Sequence, residues 1–204
     1  MRRFVREFPD AVLIGGWASY LRARVAKSYD IDIIVDHATL AKLGAKFQLS
    51  PSHHISGQKF AIEVEGVDVD VYPVYTSKLG RRLQMPVEVL ITHTEELDQT
   101  RVLTAEAQFV AKLAALLDRP DTLPGEKDRR EMWELINFGS GLDFEAVSQI
   151  LLQGGWGAKR QTELLEETFN LLGETAGLSK RDRAKLAQSR VRVVHTVRSD
   201  AERD

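Results

Sequence analysis

Four aspartates, spaced two apart inside two apolar runs, constrain this chain more than any other feature. They stand in D-I-D-I-I-V (Asp30 to Val35) and in G-V-D-V-D-V-Y-P-V-Y (Gly66 to Tyr75). A β-strand sends residues i and i+2 to the same face. Asp30 and Asp32 therefore point one way, and Asp68 and Asp70 repeat the arrangement. Aspartate is depleted in strands, and like charges on facing positions destabilise pairing. Four carboxylates aimed into one space imply a cation among them. Hard oxygen ligands of this type suit Mg²⁺ or Mn²⁺, so the pattern implies a metal site with phosphate chemistry nearby. The competing reading, acids lining the solvent face of an antiparallel sheet, fits one D-x-D as well but fits two such pairs poorly.

A second signal lies upstream. A-V-L-I (residues 11–14) reads as a buried strand closed by Gly15-Gly16, after which Trp17, Leu21 and Val25 recur every four residues, as on a helix with one apolar face. Glycines between a strand and a helix let the backbone come close to a ligand, and the helix N-terminus offers N–H groups to phosphate. Such a pair is common in any α/β chain. It gains weight here because the next strand carries Asp30 and Asp32, which places glycines and carboxylates along one cleft. Ser19, in the first turn, is either a hydroxyl donor to that cleft or a plain helix residue.

Downstream, a short helix is expected over 38–46, a polar loop Q-L-S-P-S-H-H-I-S-G follows, and strands at 59–65 and 67–75 meet in a tight hairpin at Glu65-Gly66. A further strand is expected at 87–92, after Pro86. From about residue 104 the pattern becomes helical. Thr104 can cap a helix whose apolar positions Phe109, Leu113, Leu116 and Leu117 share one side, and Asp118-Arg119-Pro120 ends it. Further helices are expected at 126–138, 143–153, 158–173 and 179–198. The expected fold is α+β: a mixed sheet flanked by helices, followed by a helical C-terminal half. Residues 1–100 would form the core and residues 101–204 a helical region completing the cleft.

The 204 residues, 43% of them hydrophobic, can bury a substantial core in one large domain or in a core with a helical companion. Lys and Arg number 28 against 30 Asp and Glu, so overall charge gives no argument for nucleic acid or an anionic membrane as partner. The absence of cysteine removes disulfides and thiolate zinc sites. No apolar run approaches the roughly 20 residues needed to span a bilayer, and the charged N-terminus has no apolar signal-peptide core. A cytoplasmic protein without a membrane partner is the expectation.

Taken in order, the glycine pair, the short helix, D-I-D-I-I-V and a third aspartate on a later strand resemble the nucleotidyltransferase superfamily typified by DNA polymerase β. Its members transfer an NMP group from an NTP to a hydroxyl using two Mg²⁺ ions. The resemblance implies that Gly15 and Gly16 bind phosphate and that Asp30 and Asp32 are paired metal ligands. It places the third, catalytic carboxylate at Asp70, with Asp68 as the alternative. The segment L-T-A-E-A-Q-F-V-A-K through E-L-I (residues 103–136) resembles AbiEii-like nucleotidyltransferases, in which a helix lysine, an arginine and a later K-D pair recur; here these are Lys112, Arg119, Lys127 and Asp128. On the helical wheel Lys112 falls at the edge of the apolar stripe. It is there either to snorkel or to reach nucleotide phosphates, and Arg119 and Asp128 can simply pair with each other. The chain departs from the family pattern at Trp17, where relatives carry Ser or Thr, and in the lead-in to D-I-D, where Ser28 is the remaining hydroxyl.

The function these residues imply is NMP transfer from an NTP, with Mg²⁺ or Mn²⁺, to RNA, a tRNA 3′ end or a protein hydroxyl. The AbiEii-like resemblance implies a toxin of a toxin–antitoxin pair with a cognate antitoxin. The binding set would be Gly15, Gly16, Ser28, Lys112 and Asp128. Two alternatives stand: a non-catalytic nucleotide- or partner-binding module, and an antibiotic-modifying transferase whose acidic acceptor pocket would draw on Glu163, Glu166 and Glu167. The last 27 residues hold eight Lys/Arg against four Asp/Glu, which suits either an RNA backbone or a solvated helix face. His53-His54 lacks a sensibly spaced third zinc ligand. Thr94, Glu95 and Glu96 read as a helix cap after a strand ending at His93. Trp133 and Trp156 read as packing residues, and Gly154, Gly155 and Gly157 as a turn between helices.

Overall fold

A computed structural model of the chain describes residues 2–24, 28–52, 57–137 and 141–201. His53-His54 and Val25 lie outside those residues. Helix α1 (Arg2–Glu7) leads into strand β1 (Val12–Ile14), whose three residues are all buried. The glycine pair forms no separate turn: it is the first two residues of helix α2 (Gly15–Ala23), which ends at Arg24 in the left-handed conformation, φ 55°. Strand β2 (Ile31–Val35) begins one residue after Asp30. Asp36 then caps helix α3 (His37–Lys46), accepting the Thr39 N–H at 2.7 Å. That bond holds the Asp36 carboxyl below the usual range. Strand β3 (Ser50–Ser52) pairs with the start of β4 (Lys59–Val64), and β4 turns into β5 (Val67–Pro73) through Glu65 and Gly66, φ 51° and 78°. Two consecutive positive φ values are what a tight hairpin requires.

A small ribbon of β6 (Lys78–Leu79) and β7 (Met85–Pro86) follows. The strand expected at 87–92 is absent: Val87–Leu90 is a short helix, α4. The alternation V-E-V-L mimicked a strand, but Val87 and Leu90, three apart, are the residues fully buried here, which is helical spacing. The helix cap expected at Thr94 is also overturned. Residues 94–103 are a hairpin, β8 (Thr94–Leu97) and β9 (Thr100–Leu103), turned at Asp98 and Gln99 with φ 49° and 62°. No glycine marks that turn, which hid it in the sequence.

The seven-stranded mixed sheet has the order β3-β4-β5-β2-β1-β9-β8. At its centre β2 runs parallel to β5 and antiparallel to β1, and β1 runs parallel to β9. Alternation along each strand gives two faces. Leu13, Ile31, Ile33, Val35, Val69 and Val71 pack on one face in a core that includes Phe4, Ala18 and Leu43. Val12, Ile14, Ile34, Tyr72 and Val74 pack on the other, against the helical half.

That half opens with α5 (Ala105–Asp118), capped at Thr104, whose Oγ1 accepts the Ala107 N–H at 3.3 Å. Helix α5 is buried along most of its length, with Phe109, Leu113, Leu116 and Leu117 at its heart. Around it lie α6 (Leu123–Asn137), α7 (Phe144–Gln153), α8 (Ala158–Gly173) and α9 (Lys180–Ala201). Trp133 and Trp156 pack against this core, and Gly154 and Gly155 turn the chain from α7 towards α8. The α+β fold with a helical C-terminal half is as expected. Among the described residues no helix is long and apolar enough to cross a membrane.

Candidate active site

The register of the central strands sets the site. Asp32 on β2 lies beside Asp70 on β5, and Ile14 at the end of β1 lies beside Asp32. On this face each strand passes from acid to apolar within two residues: Asp32 to Ile34 on β2, and Asp70 to Tyr72 on β5. The apolar end joins the core with α5. At the acidic end is a cavity of about 470 Å³, lined among others by Gly15, Asp30, Asp32, Asp70, Lys59 and Lys112, with Arg81, Asp118 and Arg119 also on its wall. Pockets of roughly 300–1,000 Å³ accommodate cofactor-sized ligands.

Gly15 is required by its surroundings. Its φ is +65°, and a Cβ there would overlap the Asp32 carboxylate. Its carbonyl is held by Gln108 Nε2 at 2.9 Å from α5, and Gln108 also reaches Ser19 Oγ at 3.2 Å. No side chain caps the start of α2, so its first N–H groups and the positive end of its dipole lie beside the carboxylates. Gly16 is close-packed for a different reason: a Cβ there would press on Ser28 and on Lys127 Nζ.

The carboxylates differ in charge state. Burial pushes the Asp32 carboxyl up to about 6, and the charges of Asp30 and Asp70 add to that rise. Tyr72 Oη donates to Asp32 Oδ1 at 3.2 Å, and burial together with those same acids drives the Tyr72 phenol well above its ordinary value. Asp30 goes the other way. Burial works against its ionisation, but the Ser28 hydroxyl, its own backbone N–H and the charges of Lys127 and Lys112 outweigh it and hold its carboxyl down. Asp70 is bonded by Lys59 Nζ.

Behind the cavity, α5 and α6 share a buried charge network. Lys112, 6% exposed, donates to Asp128 Oδ1 at 2.9 Å and to Glu131. Burial works against its ammonium, but the two acids hold it firmly protonated. Arg119 grips the other oxygen of Asp128 with Nε at 2.9 Å and Nη2 at 2.7 Å. Glu131, fully buried, also accepts from Ser19 Oγ at 3.2 Å, and its other oxygen lies 3.8 Å from Lys127. Lys127 in turn donates to Ser28 Oγ at 3.0 Å. A continuous polar chain thus runs from α6 through Ser28 to Asp30. Beside it, the loop after β6 is fixed by Asp118, which accepts the Arg81 and Arg82 N–H groups at 2.6 and 3.1 Å, and by the forked Arg82–Glu167 pair at 2.6 and 2.7 Å.

Gly15, Asp30, Asp32, Asp70 and Lys112 are thus brought to one cavity. Gly16 and Ser28 stand directly behind it. Asp128 lies off the cavity wall, 1% exposed and engaged by Lys112 and Arg119, so it orients those cations and cannot touch a ligand from there. Asp68 does not line the cavity; it is exposed opposite Glu63 in the hairpin. Sequence reasoning missed Lys59, Tyr72, Gln108 and Glu131. Glu131 carried one legible signal, lying four residues after Lys127 and three after Asp128 on one helix. Of the acids the antibiotic reading would draw on, Glu163 pairs with Arg160 and Glu167 with Arg82.

Asp30 and Asp32 present the donor chemistry a hard divalent ion needs. Their mutual repulsion, expressed in the raised Asp32, is what such an ion relieves. Among the described residues no three Asp, Glu or His side chains form a completed cage, and Asp70 already carries Lys59.

No protein-family model matches the sequence, and no curated protein matches it. Among solved structures the chain is similar to JHP933 from Helicobacter pylori, at 12% identity and TM-score 0.46, over 100% of this chain and 90% of that one. It is also similar to an antigenic nucleotidyltransferase-like protein from Paracoccidioides brasiliensis, at 16% identity and TM-score 0.45, over 83% and 87% of the two chains. Overlaps this loose carry no chemistry across. What the site can do follows from its own residues.

Proposed function

We propose that this chain is a nucleotidyltransferase, moving an NMP group from an NTP to a hydroxyl with Mg²⁺ or Mn²⁺ held by Asp30 and Asp32. The observation that carries this reading is the meeting of Asp30, Asp32 and Asp70 in one cavity with Gly15, at the uncapped start of α2. Phosphate oxygens are suited to the α2 N–H groups and to Lys112 at the cavity wall. The divalent ion supplies charge to the phosphates and the leaving group. The acceptor oxygen bonds the α-phosphorus as the bond to pyrophosphate breaks, and its proton passes to Asp70. The Lys112–Asp128–Glu131 network keeps that lysine charged and fixed.

The acceptor is proposed to be an RNA 3′ hydroxyl, on the local excess of Lys and Arg after residue 177. A toxin role with a cognate antitoxin belongs to the same proposal. The experiment incubates the chain with each α-labelled NTP, Mg²⁺ and total RNA or protein extract. Label transfer by wild type and its loss in Asp32→Asn support the reading; no transfer to any acceptor, with NTP binding equal in both proteins, contradicts it. One observation favours a second reading, a non-catalytic nucleotide-binding module: Asp70 carries a lysine partner. Tight NTP binding without transfer would select it.

A further inference from the structure

The carboxylate cluster contains a cation of its own. Lys59 opens β4, and the hairpin register sets Ala61 opposite Asp70. Lys59, two residues before Ala61, therefore shares a face with Asp70 and bonds its carboxylate. Its side chain is 10% exposed. Its ammonium also stands 5.4 Å from the centre of the Tyr72 ring, within cation–π range. Tyr72 in turn donates to Asp32, so Lys59 is fixed on both sides.

We propose that the Lys59 ammonium occupies the place a second divalent ion would take beside Asp70, so that this site binds one divalent ion rather than two. This rests on the nucleotidyltransferase reading for the ion at Asp30 and Asp32. The charges agree with it. Three aspartates carry three negative charges, Lys59 offsets one, and a single dication neutralises the other two. A second dication would be repelled by a fixed ammonium, and expelling Lys59 would strand a buried charge. Lys112 and Lys127 also act on this cluster, and their charge weighs further against a second dication. Lys59 is a positioning residue here: it aims Asp70 and sets the ion count.

The test titrates the full chain with Mn²⁺ and counts bound ions by electron paramagnetic resonance of the free ion, with circular dichroism confirming the fold of each variant. Wild type is expected to bind one Mn²⁺, Lys59→Met two, and Lys59→Arg one, since arginine keeps the cation. Should Lys59→Met not fold, Lys59→Gln, which removes the charge but keeps a hydrogen-bond donor towards Asp70, is expected to bind two. Two ions in wild type, or one in a folded Lys59→Met or Lys59→Gln, overturns the role of Lys59 while leaving the nucleotidyltransferase reading in place. No Mn²⁺ bound by wild type overturns both.

Discussion

The two ends of one sheet face, built from the same strands, are opposite in energetic character. At one end Ile34, Tyr72 and Val74 are buried in the same apolar core as Phe109 and Leu113 of α5. Two residues back along the same strands, Asp32 and Asp70 repel each other at the edge of a cavity. The first end supplies stability and the second spends it. A carboxyl titrating near 6 instead of 3.8 resists ionisation by about 3 kcal/mol at neutral pH. Strongly shifted carboxyls of this kind concentrate at ligand-binding sites, and the contrast supports the proposed site.

Substitutions at the two ends should therefore differ in sign. The largest effect is expected at the packed end: Phe109→Ala, fully buried, should lower the unfolding free energy by about 3–5 kcal/mol in urea titration. At the acidic end, Asp32→Asn should raise stability without divalent ions, by up to about 3 kcal/mol. The sign follows from linkage. The folded-state carboxyl of Asp32 is raised, so its contribution is fully present below pH 3.8 and is lost as pH rises through about 6. The advantage of Asp32→Asn over wild type should therefore be near zero at pH 4 and largest above pH 7; an equal advantage at both would contradict a carboxyl raised by burial and its acidic neighbours. Smaller again is Glu131→Gln, which leaves Lys112 with Asp128 alone. A loss of about 2 kcal/mol is expected, together with weaker NTP binding by calorimetry as Lys112 loses one of its anchors.

The acidic end was the more legible of the two in the sequence, because aspartates two apart in apolar strands have few structural explanations. The packed end was legible through Thr104 and the spacing of Phe109, Leu113, Leu116 and Leu117. What stayed hidden has specific causes. The hairpin at residues 94–103 turns on Asp98 and Gln99 in left-handed conformations, and those residues carry no glycine signal. Residues 87–90 alternate like a strand and fold as a helix, because burial of Val87 and Leu90 decides. Gln108 meets Gly15 and Ser19, 93 and 89 residues away, and Glu131 meets Ser19, 112 residues away, contacts that no local spacing encodes. Asp128 was expected in the nucleotide-binding set from the resemblance; its place behind Lys112 depends on how α6 docks on α5.

The most direct measurement is the thermal unfolding of the wild-type chain and of Asp32→Asn with Mg²⁺, an NTP, both, or neither. If Asp30 and Asp32 hold a divalent ion beside Gly15 and Asp70, wild type gains several degrees in Tm with ion and nucleotide together, and Asp32→Asn gains little. A wild-type Tm that does not move under any of the four conditions would contradict it.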